Sequence, residues 1–205
     1  RGFQFLNFKY KPKTVIAGTR IEPPLHPMGK EKITKDFGMY PEDFKEKEFD
    51  EFVSQIQKDL RLKKRPTHIE CFDNSNFQGT NPVAACVVFK NGKPSKKDYR
   101  LFNIKTIIGP DDFGSMEEVV FRRYKRLLFE KKPLPQLIIV DGGKGQLSSA
   151  IKSLKKLNLY GKIAIIGIAK KLEEIYFPND SVPLYLDKRS ISLKIIQKLR
   201  NEANR

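Results

Sequence analysis

The order of the apolar segments is the feature that most constrains the fold of this chain. Three strand-like runs come first, at residues 67–73, 82–89 and 98–104. Asn91-Gly92, between the second run and the third, favours a type I′ hairpin turn, so we expect three consecutive antiparallel strands. Further on, helices are predicted at 116–132, 144–157 and from 190 onward, and strands at 136–141, 163–168, 175–177 and 182–186. This order predicts an α/β domain with a mixed β-sheet flanked by helices.

The chain divides into three regions of different composition, and the last of them is this domain. Residues 1–40 contain scattered Pro and Gly without periodicity, which predicts an irregular N-terminal arm of unknown role. Residues 41–66 predict a lead-in helix, which is followed by a basic linker that Pro66 closes. Residues 67–205 then form the main domain.

The charge of the chain indicates what it binds. The 205 residues include 40 Lys and Arg against 24 Asp and Glu, a net charge of +16. Residues 67–205 hold 25 of the basic and 14 of the acidic residues, so most of the excess lies in the main domain. Such an excess favours a polyanionic partner, and nucleic acid is the first candidate. A basic protein with a merely solvated surface is the alternative.

The cysteines and the hydropathy pattern indicate a compartment. Cys71 and Cys86 both lie inside apolar runs, which predicts buried thiols in a reducing, cytoplasmic environment. No run approaches the roughly 18 apolar residues of a membrane span. The start at Arg1 shows no signal-peptide pattern, and we expect a fragment of a longer cytoplasmic protein.

Three acidic residues at the ends of predicted elements suggest a metal site. Asp73 and Asp141 end predicted strands, and Asp112 lies in the loop before the first helix of the main domain. If the strands of Asp73 and Asp141 are neighbours, both carboxylates project from one rim of the sheet. Carboxylates are the ligands that Mg²⁺ and Mn²⁺ prefer, and two such ions can hydrolyse a phosphodiester. Individually, each acid could instead form a turn or complement a helix dipole.

A glycine-rich segment follows Asp141. Gly142-Gly143-Lys144-Gly145 matches neither the Walker pattern nor the dinucleotide-binding fingerprint. It predicts a helix N-terminus that can approach a phosphate, with Lys144 beside it, although a plain strand-to-helix turn is the alternative. The predicted helix 116–132 carries a second basic patch, formed by Arg122, Arg123, Lys125 and Arg126.

Several ordered motifs resemble UvrC, the incision subunit of the bacterial UvrABC excinuclease. The resemblance covers about residues 41–205. Its motifs are Ile69-Glu70-Cys71-Phe72-Asp73, Gln78-Gly79-Thr80-Asn81, Gly109-Pro110-Asp111-Asp112-Phe113, Arg122-Arg123-Tyr124, Asp141-Gly142-Gly143-Lys144-Gly145-Gln146-Leu147, Gly167-Ile168-Ala169-Lys170 and Leu199-Arg200-Asn201-Glu202-Ala203.

The resemblance implies an RNase H-like endonuclease domain that cuts the damaged strand of double-stranded DNA 5′ to a lesion. It also implies loading by UvrB, with UvrA in the same pathway, and Mg²⁺ or Mn²⁺ as cofactor. The family's catalytic and metal-binding acids fall on Asp73, Asp112 and Asp141. Lys144 and Lys170 match basic positions that would face DNA phosphates, and Asn76 and Gln78 are weaker candidates for contacting the substrate.

One departure from the family pattern bears on activity. The family has His after the Glu-Ala pair, and Asn204 occupies that position here. An amide cannot take up a proton as an imidazole can. An engineered change, a natural departure and residues missing between Ala203 and Asn204 are all open explanations. The alternative function is therefore a non-catalytic DNA- or partner-binding module of the same fold.

Overall fold

The computed structural model describes residues 46–75, 83–105, 111–169 and 173–205. Within these residues the helices are α1 (Glu46–Asp59), α2 (Asp112–Phe129), α3 (Lys144–Lys156) and α4 (Ile191–Ala203). The strands are β1 (His68–Ser75), β2 (Val83–Lys90), β3 (Lys93–Pro94), β4 (Arg100–Asn103), β5 (Leu137–Asp141), β6 (Ala164–Ala169) and β7 (Glu174–Tyr176).

All the described strands belong to one mixed sheet. From β2 the order across the sheet is β2-β1-β5-β6-β7, and β3 and β4 pair with successive parts of the free edge of β2. The β1–β2 pair is antiparallel, whereas β1–β5 and β5–β6 are parallel. β7 returns antiparallel to β6. The predicted α/β class, with antiparallel strands followed by parallel ones, is confirmed.

Helices cover both faces of the sheet. Side chains of α2 and α3, such as Tyr124 and Leu147, pack with Phe72 of β1 in one core. Side chains of α1 and α4, such as Val53 and Ile196, pack with Cys71 in the other core. Because successive strand residues point to opposite faces, β1 contributes to both cores and is apolar on both sides.

The hairpin after β2 agrees with the sequence prediction only in part. Asn91 and Gly92 have φ values of 50° and 73°, as a type I′ turn requires. The predicted strand at 98–104 is wrong in extent, because a two-residue β3 is followed by a 3₁₀ turn before β4 begins. Pro94 offers no N–H to extend the ladder, and Asp98 accepts hydrogen bonds from Ser95 Oγ (2.6 Å) and Lys90 Nζ (2.7 Å) that hold the turn.

The helix boundaries shift from the predicted ones for local reasons. α2 begins at Asp112, four residues before the predicted start, because Asp111 Oδ1 accepts from the N–H groups of Phe113 and Gly114 as an N-cap. α2 ends at Phe129 rather than at residue 132. The predicted lead-in helix is described from Glu46 to Asp59. The predicted arm at 1–40 lies outside the described residues.

The two predicted buried thiols are confirmed. Cys71 and Cys86 are free, fully buried and on opposite faces of the sheet. Burial raises the pKa of both thiols. Within the described ranges, no helix has the length and apolar character that crossing a membrane requires.

Candidate active site

Asp73 and Asp141 lie side by side at the carboxyl ends of two parallel strands. Phe72 of β1 and Val140 of β5 are register partners, and the two acids are the next residues on each strand. Neighbouring strands are roughly 5 Å apart, so the two backbones hold these side chains close together. The same alternation that points Cys71 and Ile139 into the α1–α4 core points both acids to that face.

Both carboxyl groups are buried, and their charges act on the core beneath them. Asp73 is 2% exposed and Asp141 is 4% exposed. The pKa of the Cys71 thiol is raised first by burial, then by the charge of Asp141 and then by that of Asp73. Both acids are therefore close enough to Cys71 to act on its thiol, on the face of the sheet that α1 and α4 cover.

Asp112 approaches the same edge from the other side of the sheet. Its backbone carbonyl accepts a hydrogen bond from Asn74 Nδ2 at 2.9 Å, and Asn74 follows Asp73 directly. The Asp112 side chain is exposed, in the first turn of α2. A Cβ atom added to Gly145, in the first turn of α3, would meet the Phe113 ring at 2.3 Å. The first turns of α2 and α3 therefore touch beside the two buried acids.

Asn204 reaches the buried pair from the end of α4. Its Nδ2 donates to Asp141 Oδ2 at 2.9 Å, and also to the Arg200 carbonyl at 2.9 Å. The position that the resemblance assigns to a family His is therefore in direct contact with one of the acids. The amide holds one carboxylate oxygen of Asp141 in place.

The other predicted site residues have different outcomes. Lys144 is exposed in the first turn of α3, where its Nζ donates to the Ser181 carbonyl at 2.7 Å and lies 5.2 Å from the Tyr176 ring centre. Lys170, Asn76 and Gln78 lie outside the described residues, so their placement stays a prediction.

The second basic patch does not form as a continuous surface. Arg123 is only 8% exposed, and its Nη2 contacts Glu70 Oε1 at 2.6 Å in the core. Arg122 donates to Glu118 and Arg126 to Glu130, both one helical turn away. The predicted role of Arg123 at the surface is wrong, because its charge neutralises a buried acid of β1.

The donor atoms at this edge are of the type that binds a hard divalent cation. Two neighbouring carboxylates, with an amide beside one of them, match the oxygen ligands of Mg²⁺ and Mn²⁺. Among the described residues, no group of three His, Cys, Asp or Glu side chains is arranged to hold a metal ion. The buried pair therefore fits a cation as two of its ligands, and the Asp112 side chain does not complete a three-residue group in this arrangement.

Two contacts at this site were missed from the sequence. Asn74 ties β1 to the start of α2, and Phe113 packs on Gly145. Gly145 faces the Phe113 ring of the neighbouring helix α2, but in the sequence it was visible only as part of a glycine-rich run. Asn74 gave no local signal because its partner lies 38 residues away.

Comparison with known proteins supports a family for this chain. The model of the UvrC RNase H endonuclease domain matches residues 57–205. UvrABC system protein C of Christiangramia forsetii is 76% identical over 153 residues, which are 75% of this chain and 26% of that protein. The protein of the same name from Methanococcus maripaludis is 54% identical over 153 residues, 75% of this chain and 29% of that protein. The chain thus spans about a quarter of the length of these relatives.

Solved structures of low similarity include two animal enzymes. Ciona intestinalis endonuclease V in complex with inosine-containing DNA gives a TM-score of 0.38 at 20% identity, covering 78% of this chain and 69% of that one. Human endonuclease V gives 0.37 at 15% identity, covering 65% and 63%. The family match alone, which spans most of the described residues, confirms the resemblance: the chain belongs to the UvrC RNase H endonuclease domain family.

Proposed function

We propose that this chain is the incision nuclease part of a UvrABC excinuclease. It hydrolyses a phosphodiester bond of damaged double-stranded DNA on the 5′ side of the lesion, using Mg²⁺ or Mn²⁺ bound by Asp73, Asp112 and Asp141. UvrB loads it onto the DNA after UvrA has acted, in the cytoplasm. Family membership and the net charge of +16 support this proposal.

The juxtaposition of Asp73 and Asp141 is the observation that carries the proposal. The two buried carboxylates lie on adjacent strands and on one face of the sheet, so their oxygen atoms are close together. Oxygen atoms of this kind are the ligands that Mg²⁺ and Mn²⁺ prefer. A divalent cation at this edge would therefore be held by both acids.

The residues of the site can be given separate roles. A divalent metal bound here would supply an activated water and stabilise charge on the leaving oxygen. Asp73 and Asp141 would hold it, with Asp112 proposed as a further ligand from the first turn of α2. Asn204 fixes Asp141 Oδ2 through its amide. Lys144 lies at the N-terminus of α3, where a phosphate is favoured by the helix dipole as well as by the lysine charge. Lys170, Asn76 and Gln78 are proposed as further contacts to the DNA.

Nicking by an Asp141→Asn variant tests the function. The substrate is a duplex with one lesion, loaded with UvrA and UvrB, in Mg²⁺ and separately in Mn²⁺. We expect nicking to fall by about 10³-fold, because several kcal/mol of charge stabilisation at the reacting phosphate are lost. Glu51→Gln, which removes an exposed acid of α1, is the matched control and should nick normally. Unchanged nicking by Asp141→Asn would falsify the proposed role.

A second candidate function follows from the Asn204–Asp141 contact. Because an amide occupies one oxygen of Asp141 and cannot shuttle protons, the chain could be a non-catalytic DNA- or partner-binding module. Titration calorimetry with Mn²⁺ separates the two functions. If Asp141→Asn alters neither Mn²⁺ affinity nor nicking, the binding module is the correct reading.

A further inference from the structure

A groove lies at the edge of the sheet opposite the buried acids. Its volume is about 830 Å³. It is lined by four segments, namely the chain after α1 (60–64), the residues before β5 (134–136), the start of β6 with its preceding turn (160–166) and the chain after β7 (177–180). The name "amino-edge groove" is used here for this set, because it contains the amino ends of β5 and β6.

The lining of the amino-edge groove is largely apolar. Leu62, Leu134, Phe177 and Pro178 are all half-buried, so each presents part of its apolar surface to the groove. Buried Ile163 closes the floor. Concave apolar surface of this kind is where ligands and peptide side chains gain most from leaving water.

The rim of the amino-edge groove is positively charged. Arg61, Lys63, Lys64 and Lys162 are exposed, and among the described residues none of the four has an ion pair. Asp180 is the single acid in the lining. The groove therefore combines apolar walls with a net positive charge that the described part of the chain does not neutralise.

A second groove shows why this charge is informative. It lies between α2 and the β2–β4 hairpin and is also rich in Lys and Arg. Five of its cations, however, are paired with acids of the same chain, and a sixth, Arg100, donates to the carbonyls of Lys97 and Tyr99. The pairs are Lys90–Asp98, Arg122–Glu118, Arg123–Glu70, Arg126–Glu130 and Lys132–Glu130, all between 2.6 and 2.7 Å. Most cations of the second groove are thus satisfied within the described residues, whereas the four rim cations of the amino-edge groove have no acid partner there.

We propose that the amino-edge groove binds an acidic amphipathic segment of a partner protein. Leu, Ile or Phe side chains of that segment fill the apolar walls, and its Asp and Glu residues meet the four rim cations. A nucleic-acid strand fits less well, because its bases stack on exposed aromatic platforms. The lining has two rings, those of Tyr160 and Phe177, and both are half-buried. The chain's own residues 1–40 carry 8 basic and 3 acidic residues, so their charge has the same sign as the rim.

The position of the amino-edge groove allows it to act while DNA is bound. Gln136 lines the groove and directly precedes β5, and Asp141 ends that strand five residues further on. At about 3.3 Å per residue, the groove and the acids are roughly 16 Å apart along β5. A protein partner at this edge thus leaves the acidic edge accessible.

Selection of peptides on the intact 205-residue chain tests the proposal. A library of random 16-residue peptides is displayed on phage and selected on the immobilised protein. The selected sequences are synthesised with fluorescein, and their binding is measured by anisotropy. We expect selected peptides to be acidic with Leu, Ile or Phe at helical spacing, and to bind about tenfold more weakly to Lys63→Glu/Lys64→Glu.

A matched variant and two competitors make the outcomes decisive. Lys152→Glu/Lys194→Glu makes the same charge change at exposed residues of α3 and α4, and should bind the peptides as the wild type does. The proposal is overturned if the selected peptides lack acidic residues, or if both double variants bind them equally. It is also overturned if a dT16 oligonucleotide, or a synthetic peptide of residues 1–40, occupies the groove more tightly than any selected peptide.

Discussion

Two buried acids of β1, three residues apart, have opposite surroundings. Glu70 faces the α2–α3 core, where Arg123 Nη2 donates to it at 2.6 Å, Arg123 Nε at 3.2 Å and Tyr124 Oη at 2.9 Å. His68 Nε2 lies 3.2 Å from the same carboxylate. Burial alone would raise the pKa of Glu70, but the hydrogen bonds from His68 and Arg123 lower it overall.

Asp73, on the other face, has an acid as its neighbour. Asp141 follows Val140, the register partner of Phe72, so two carboxylates share one buried edge. Glu70 is thus paired with a cation of the fold, whereas Asp73 lies beside a second acid. The contrast teaches that a buried acid beside another acid is a better candidate for a functional role than a buried acid with a cationic partner.

The largest expected effect is on stability, at Glu70. In Glu70→Gln the guanidinium of Arg123 stays buried without a counter-charge, so the free energy of unfolding should fall by about 3 kcal/mol. Urea denaturation followed by circular dichroism measures this. Glu51→Gln, at an exposed position, should change it by less than about 0.5 kcal/mol. An equally small change in Glu70→Gln would remove the distinction between the two acids of β1.

The next effect concerns the acid pair and its amide neighbour. An imidazole in place of the amide could both contact Asp141 and transfer a proton, so Asn204→His should raise metal-dependent nicking by about tenfold. The pH–rate profile should gain a step near the pKa of His, about 6.5. Asn204→Gln keeps an amide and should show neither change. A faster rate without the new step would assign the gain to packing instead of proton transfer.

Much of this architecture follows from local sequence, and the site follows only in part. Two elements were predictable because the apolar residues of the sequence pattern are the ones that the structure buries. They are the strand 137–141 and the face of α2 that carries Met116, Val119 and Tyr124. The start of α2 was missed because the predicted helix began at the first apolar position, Met116, and Asp111 was placed in the preceding loop instead of at the N-cap. The partners of charged groups were not predictable, since Glu70 and Arg123 are 53 residues apart.

Removing one acid of the buried pair should reduce the stabilisation of the fold by divalent metal. Mn²⁺ at about five times its Kd should raise the free energy of unfolding of the wild type by about 1 kcal/mol, and Asp73→Asn should lose most of that gain. Urea titrations with and without Mn²⁺ measure the two gains. An equal gain in both proteins would show that Asp73 is not a metal ligand.

A third acid, Asp98, differs from the two buried acids of β1 because solvent reaches its side chain. Burial would raise its pKa, but hydrogen bonds from Lys90 and Ser95 lower it to about 2 from 3.8. The folded pKa is below the unfolded one, so this stabilisation is complete above about pH 4 and is lost as the pH falls toward 2. Since Lys90 is 41% exposed, solvent screening reduces the effect to about 0.5 kcal/mol. The difference in unfolding free energy between wild type and Asp98→Asn, measured from pH 6 to pH 2, should shrink across that window. A difference that does not change with pH would show that the charge of Asp98 is not its source.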